Sequence, residues 1–133
     1  MLVDPSGLTQ AQIDATFKFV KENLQGLDFG DKFIVENIPG AFGAYDAFGD
    51  KLIRVDDWFL KDLDEREMGI LLDTFIHEGL HKNDSSLDTI RISLTELFGL
   101  KSSLHEDIFK LAEAIAEKLK EKFKKDVIDR GCN

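Results

Sequence analysis

The residues with the clearest chemical reading in this 133-residue chain are His77, Glu78 and His81, in the run His77-Glu78-Gly79-Leu80-His81. On a helix, side chains four residues apart share one face, with Cβ atoms about 5–6 Å apart. Two imidazoles so placed can converge on one Zn²⁺ at N–metal distances of about 2.0–2.1 Å. Glu78 borders the same face. Its carboxylate is positioned to take a proton from a metal-activated water and pass it to a leaving amine, which is the chemistry of peptide-bond hydrolysis. Three histidines and ten glutamates shuffled at random reproduce this spacing in roughly 0.3% of arrangements, so the motif carries information.

A catalytic zinc site has three protein ligands and one open position. The third ligand must come from another part of the chain. His105, Glu106 and Glu96 are the leading candidates, with Asp84 and Asp88 behind them. Zinc follows from the ligand types, and another divalent metal suits the same donors. Asp73 lies four residues before His77, where a carboxylate can orient the imidazole. Tyr45, the only tyrosine, and Arg54 fall in the expected strands, and either can stabilise a tetrahedral oxyanion.

The elements that must position these groups are legible in outline. Asp4-Pro5-Ser6-Gly7 reads as a turn closing a leader over residues 1–8, and Thr9 as the N-cap of a helix over 9–25. Residues 32–36, 41–45 and 51–55 read as three short strands, with a turn over 46–50 that predicts a hairpin. From Asp64 onward, Met68, Leu71, Leu72, Phe75, Ile76 and Leu80 form an apolar stripe, and Asn83 is a stop signal. This is the helix that carries the histidine pair. Gly79 within it costs about 1 kcal/mol relative to Ala, which predicts close packing at that point. Leu87, Ile90, Leu94, Leu97 and Phe98 mark a further helix ending near Gly99. Leu104, Ile108, Leu111, Ile115, Leu119 and Phe123 mark the last one, capped by Ser102 or Ser103. The charged run from Glu117 to Lys125 is its solvated face. The expected fold is α+β: an N-terminal helix, a small three-stranded sheet, the zinc-binding helix and two C-terminal helices, in one domain over residues 9–133.

Composition narrows the function. The chain has 26 acidic against 17 basic residues, a formal charge of −9, and no basic cluster interleaved with aromatics, so no nucleic-acid partner is expected. No apolar run approaches the roughly 20 residues of a membrane span, and the first residues lack the layout of a secretory signal. Cys132 is the only cysteine, so an intramolecular disulfide is excluded and folding in a reducing compartment is expected.

In the run Leu104-His105-Glu106-Asp107-Ile108-Phe109 the chain resembles the SprT-like branch of the zincin metallopeptidases. Those proteins follow the HExxH motif with a third histidine at a helix start and an aromatic residue four positions on, where Phe109 stands. The resemblance implies a minimal zincin-like fold, with His105 as third ligand. A neutral, metal-bound imidazole suits the positive end of a helix better than a charged one. A gluzincin-like reading would instead use Glu106 or Glu96. The extended metzincin pattern requires a ligand six residues past the second histidine, where this chain has Leu87, so that subclass is excluded. Zincins bind substrate backbone along an edge strand, which the resemblance places at residues 41–45 or 51–55.

The first eight residues carry a second resemblance. Val3-Asp4-Pro5-Ser6-Gly7-Leu8 is similar to the DPxG-type junction that ends the shell-forming core of Rhs-family polymorphic toxins. That resemblance implies a bacterial effector, held in the Rhs core shell, delivered by type VI secretion to the cytoplasm of a target cell, and neutralised in its producer by a cognate immunity protein. Its substrate would be a protein or peptide. Two alternatives stand beside it. One is a cytoplasmic, housekeeping SprT-like protease acting on DNA-bound proteins, which the acidic charge disfavours. The other is a non-catalytic binding module with a structural zinc, which has no need of Glu78.

Overall fold

In a computed structural model the protein is described over residues 5–46, 48–83 and 108–129, with side chains for 10–46, 48–83 and 110–129. Helix α1 spans Pro5–Asn23. Strands β1 (Phe33–Glu36), β2 (Gly43–Tyr45) and β3 (Ile53–Asp56) follow, then a single 3₁₀ turn over Asp57–Phe59. Helix α2 spans Glu65–Lys82, and helix α3 spans Ile108–Phe123 and runs into one π turn, Lys124–Ile128. The architecture is α+β, as the sequence predicts. The expected helix over 87–99 and the expected Ser102 or Ser103 cap lie outside the described residues.

One boundary differs from the sequence reading. Helix α1 begins at Pro5, so Pro5 to Leu8 belong to a helix and not to a turn. Proline is well suited to the first helical position, where its missing N–H has no intrahelical partner to lose and its fixed φ is already helical. The same residue type that signals a turn therefore opened the helix four residues early.

The sheet has the order β1-β3-β2. The expected hairpin is β2–β3, with Gly43 opposite Val55 and Tyr45 opposite Ile53, while β1 joins β3 in parallel. Side chains alternate across a strand, so Ile53 and Val55 point into the core and Arg54 points to the opposite face. Gly43 and Tyr45 share the inner face with their partners.

Helix α2 is the centre of the core. Its start is a capping box: Asp64 Oδ1 accepts from the Glu67 backbone N–H at 2.8 Å, and Glu67 Oε1 accepts from the Asp64 N–H at 3.0 Å. Such a cap contributes about 1 kcal/mol and sets the register of everything after it. Leu71, Leu72, Phe75, Ile76 and Leu80 are buried along its length. Phe75 meets Phe17 of α1 and Phe33 of β1, with ring centroids 5.3 and 5.2 Å apart, so three elements converge on one aromatic contact. Helix α3 buries Leu111, Ile115, Leu119 and Phe123, and Phe123 packs on Phe19 of α1 at 5.1 Å. Lys124 bridges to Glu65 at 3.5 Å, and Glu113 faces Asp73, so α3 runs antiparallel to α2. Among the described residues no helix is long and apolar enough to cross a membrane.

The close packing predicted at Gly79 is present. A Cβ at that position would collide with the Phe29 ring, whereas a Cβ at Gly69 of the same helix meets nothing within 4 Å. The two substitutions should have opposite signs. Gly69→Ala should stabilise the fold by up to about 1 kcal/mol through helix propensity. Gly79→Ala should destabilise it by about 1–3 kcal/mol, because overpacking outweighs the same gain. Urea denaturation of both variants checks this, and a stabilising Gly79→Ala would show that Phe29 does not hold that position.

Candidate metal centre

The two histidines lie on the outward part of α2. His77 is half-buried and His81 is exposed. Their Nε2 atoms are 3.1 Å apart and the rings meet edge to face, with centroids at 4.7 Å. At that separation either one ring donates a proton to the other or both lone pairs face a shared cation. Two nitrogens at about 2.0–2.1 Å from a tetrahedral zinc lie about 3.3 Å from each other, so the pair fits that ion with little adjustment. Among the described residues no third His, Cys, Asp or Glu joins them. His105, Glu106, Glu96, Asp84 and Asp88 all lie outside the described residues.

Glu78 sits on the same turn but faces inward and is only 7% exposed. Burial pushes its carboxyl up to about 7, because the charged form loses hydration. A carboxyl poised near neutrality can both accept and release a proton in that range.

Three contacts set the rotation and depth of this turn. On one side Gly43 of β2 comes so close that a Cβ there would lie 2.7 Å from Thr74 Cγ2 and 3.0 Å from Glu78 Cγ. On the other side the Phe29 ring occupies the space above Gly79. At the end of the helix Asn83 is buried and ties the loop before β1 to α2. Its Oδ1 accepts from the Asp28 N–H at 2.9 Å, and its Nδ2 donates to the Asp28 and Gly79 carbonyls at 2.9 and 2.6 Å. Asn83 is thus a cross-link as well as the stop signal read from the sequence.

The remaining candidates separate. Tyr45 is on the inner face of β2, its ring 5.6 Å from Lys82 Nζ, so it stands beside the histidine end of α2. Arg54 is on the outer face of the sheet. Its guanidinium is committed to Glu36 at 2.9 Å and to both Asp50 oxygens at 2.9 and 2.6 Å, which hold it firmly charged and away from α2. Tyr45 thus shares the face of the sheet that meets α2, and Arg54 lies on the opposite face. Asp73 makes no hydrogen bond to His77. It lines a groove of about 950 Å³ between α2 and α3, with Oδ1 buried and without a partner among the described residues. Neither histidine nor Glu78 lines that groove.

Sequence reasoning did not single out Gly43, Phe29 or the second role of Asn83. A signal existed for Gly43, since glycine inside a strand often marks a close backbone approach. Phe29 and Asn83 had none, because their partners are distant along the chain. Comparison with known protein families, curated protein sequences and solved structures finds no match to this chain.

The state of Asp73 has a measurable consequence. Burial, reinforced by Glu113, raises its carboxyl from 3.8 to about 6. The native state therefore holds the proton more tightly than the unfolded chain, and stability falls as pH rises through that window. The full penalty is present above it. Because the side chain is partly solvated, the cost is about 1 kcal/mol after screening. Asp73→Asn should melt a few degrees higher than wild type near pH 8 and equally at pH 3.5. Identical melting at both pH values would mean that Asp73 is ordinarily solvated.

Proposed function

We propose that this chain is a zinc-dependent metallopeptidase domain in which His77, His81 and His105 bind the metal and Glu78 moves the proton. The observation that carries the reading is the pair of imidazole nitrogens 3.1 Å apart beside a buried carboxyl on the intervening turn. A bound zinc ion would supply Lewis-acid polarisation of a scissile carbonyl and a water acidic enough to ionise near neutral pH. With zinc bound, His77 and His81 would each turn an Nε2 lone pair toward it. Glu78, held by the close approach of β2, takes a proton as general base and releases it to the departing amine as general acid. Tyr45, on the face of β2 that meets α2 and with its ring 5.6 Å from Lys82 Nζ, would be the phenol to hydrogen-bond developing negative charge.

Helix geometry supports a third ligand from the segment leading into α3. Helices α2 and α3 are antiparallel, with Glu65 beside Lys124. Glu65 to His81 and Lys124 back to Ile108 cover the same number of residues, about 24 Å of helix each. The first turn of α3 is therefore level with His81, and His105 precedes it by three residues in the sequence. Glu106 is the alternative ligand on the same grounds, and Glu96 lacks this support.

The wider reading follows from the N-terminal run and its resemblance to an Rhs junction. On it, the domain is the toxin of a bacterial Rhs-type effector that hydrolyses a protein or peptide in the target-cell cytoplasm. The core shell would hold it before delivery, and an immunity protein would cover it in the producing cell.

Zinc titration and a peptide-library digest test the chemistry together. The protein should bind one zinc equivalent, and Glu78→Gln should keep the metal while losing about 10²–10⁴-fold in cleavage rate. His105→Ala should weaken zinc binding while Glu106→Ala leaves it unchanged. A protein that holds no zinc, or a Glu78→Gln variant with full activity, would sink the mechanism.

A further inference from the structure

We propose that Gly43 is a positioning residue of the hydrolysis: the bare backbone of β2 at that point holds the Glu78 side chain in place, so the residue at position 43 governs turnover and not metal binding. This deepens the peptidase reading and rests on it. Gly43 has no conformational reason to be glycine. Its φ lies outside the left-handed region, which among the described residues only Gly30, Gly40 and Lys51 enter. Glycine also weakens a strand interior, because it brings no side chain to pack and loses the most backbone freedom on folding. What the position requires is room. A Cβ there would lie 2.7 Å from Thr74 Cγ2, 3.0 Å from Glu78 Cγ and 3.1 Å from the Arg54 carbonyl oxygen. Carbon atoms in ordinary contact are about 3.5–4.0 Å apart.

Both walls of this notch are fixed. Thr74 and Glu78 are one turn apart, so their side chains are neighbours on one face of α2. Thr74 is buried, and its hydroxyl donates to the Ile70 carbonyl at 2.8 Å, which fixes the side chain with its methyl group toward β2. On the other side β2 cannot retreat. Gly43 pairs with Val55, which is fully buried, and the Asp56 N–H donates to the Phe42 carbonyl at 2.7 Å. Arg54, between Val55 and Ile53, is tied to Glu36 and Asp50. The backbone of β2 therefore bears on the Glu78 stem at Cγ, the carbon that carries the carboxyl group. Proton transfer tolerates little displacement, and a misplacement of about 1 Å can cost about 10²-fold in rate. The three atoms nearest to a Cβ at position 43 include none from either histidine, so the same crowding leaves the metal ligands in place.

The experiment uses the full chain with added zinc and a peptide that the library digest shows to be cleaved. Gly43→Ala should lower kcat about tenfold, as a displacement of a few tenths of an ångström requires, while KM and the zinc Kd stay at their wild-type values. Gly69→Ala is the control for an added methyl group, since a Cβ there meets nothing within 4 Å, and it should keep the wild-type kcat. A second readout needs no activity. Gly43→Ala should lower the melting temperature by several degrees, and by less in a Glu78→Ala background, where Cγ is gone. If Gly43→Ala does not fold, Gly43→Ala with Thr74→Ser removes the nearest obstructing atom and should show the same loss of kcat relative to Thr74→Ser. An unchanged kcat, a zinc affinity that falls in step with kcat, or equal melting shifts in the two backgrounds would overturn the proposal. A failure of the peptidase reading shows separately, as retained cleavage in Glu78→Gln.

Discussion

Everything chemical in this protein depends on how closely two other segments approach one turn of α2. Gly43 of β2 lies against Thr74 and Glu78, and Phe29 lies against Gly79, and neither approach tolerates a Cβ at the glycine. A helix gripped on both sides at the same level has no freedom to roll. The fixed roll puts Glu78 inside and leaves His77 and His81 at the surface. A rotation by one residue position, about 100°, would exchange those roles. The glycines are therefore a positional device, although each weakens the element it occupies.

The electrostatics follow from the same geometry. Glu78 and Asp73 are both carboxyls on α2 with raised pKa values, but their surroundings differ. For Glu78 the cause is loss of water alone, on the turn that carries the histidines. For Asp73 a second carboxyl, Glu113, adds to burial, and the groove between α2 and α3 contains neither histidine. The carboxyl on the turn of the imidazoles is the one the proposed chemistry uses, and the other is a cost to stability. Arg54 shows the opposite outcome. Two carboxylates saturate its guanidinium on the outer face of the sheet, so the strongest cation of β3 is used for holding strands together.

Much of the frame was legible because it is local. The start at Asp64, the apolar stripe through Leu80 and the stop at Asn83 each lie within a few residues of the partners that define them. The strands of β2 and β3 were legible for the same reason, since a short turn joins them. Local signals also misled once. Asp4-Pro5-Ser6-Gly7 has the composition of a turn, yet proline serves the first turn of a helix as well, and α1 includes Pro5 to Leu8.

The sequence by itself determined that two imidazoles share a face with a carboxylate beside them, because a helix repeats every 3.6 residues and the three residues lie within five positions. It only suggested close packing at Gly79, since Gly69 carries the same cost in the same helix and meets nothing within 4 Å. Tertiary structure alone decided that Gly79 meets the Phe29 ring, that Glu78 is buried, Tyr45 inside and Arg54 outside. Those outcomes rest on contacts between residues far apart in the chain, such as Asp28 with Asn83 and Gly43 with Glu78. No spacing rule reaches that far. Such contacts exist only once several elements bury their apolar faces together, and that shared burial sets which side of each element meets the site.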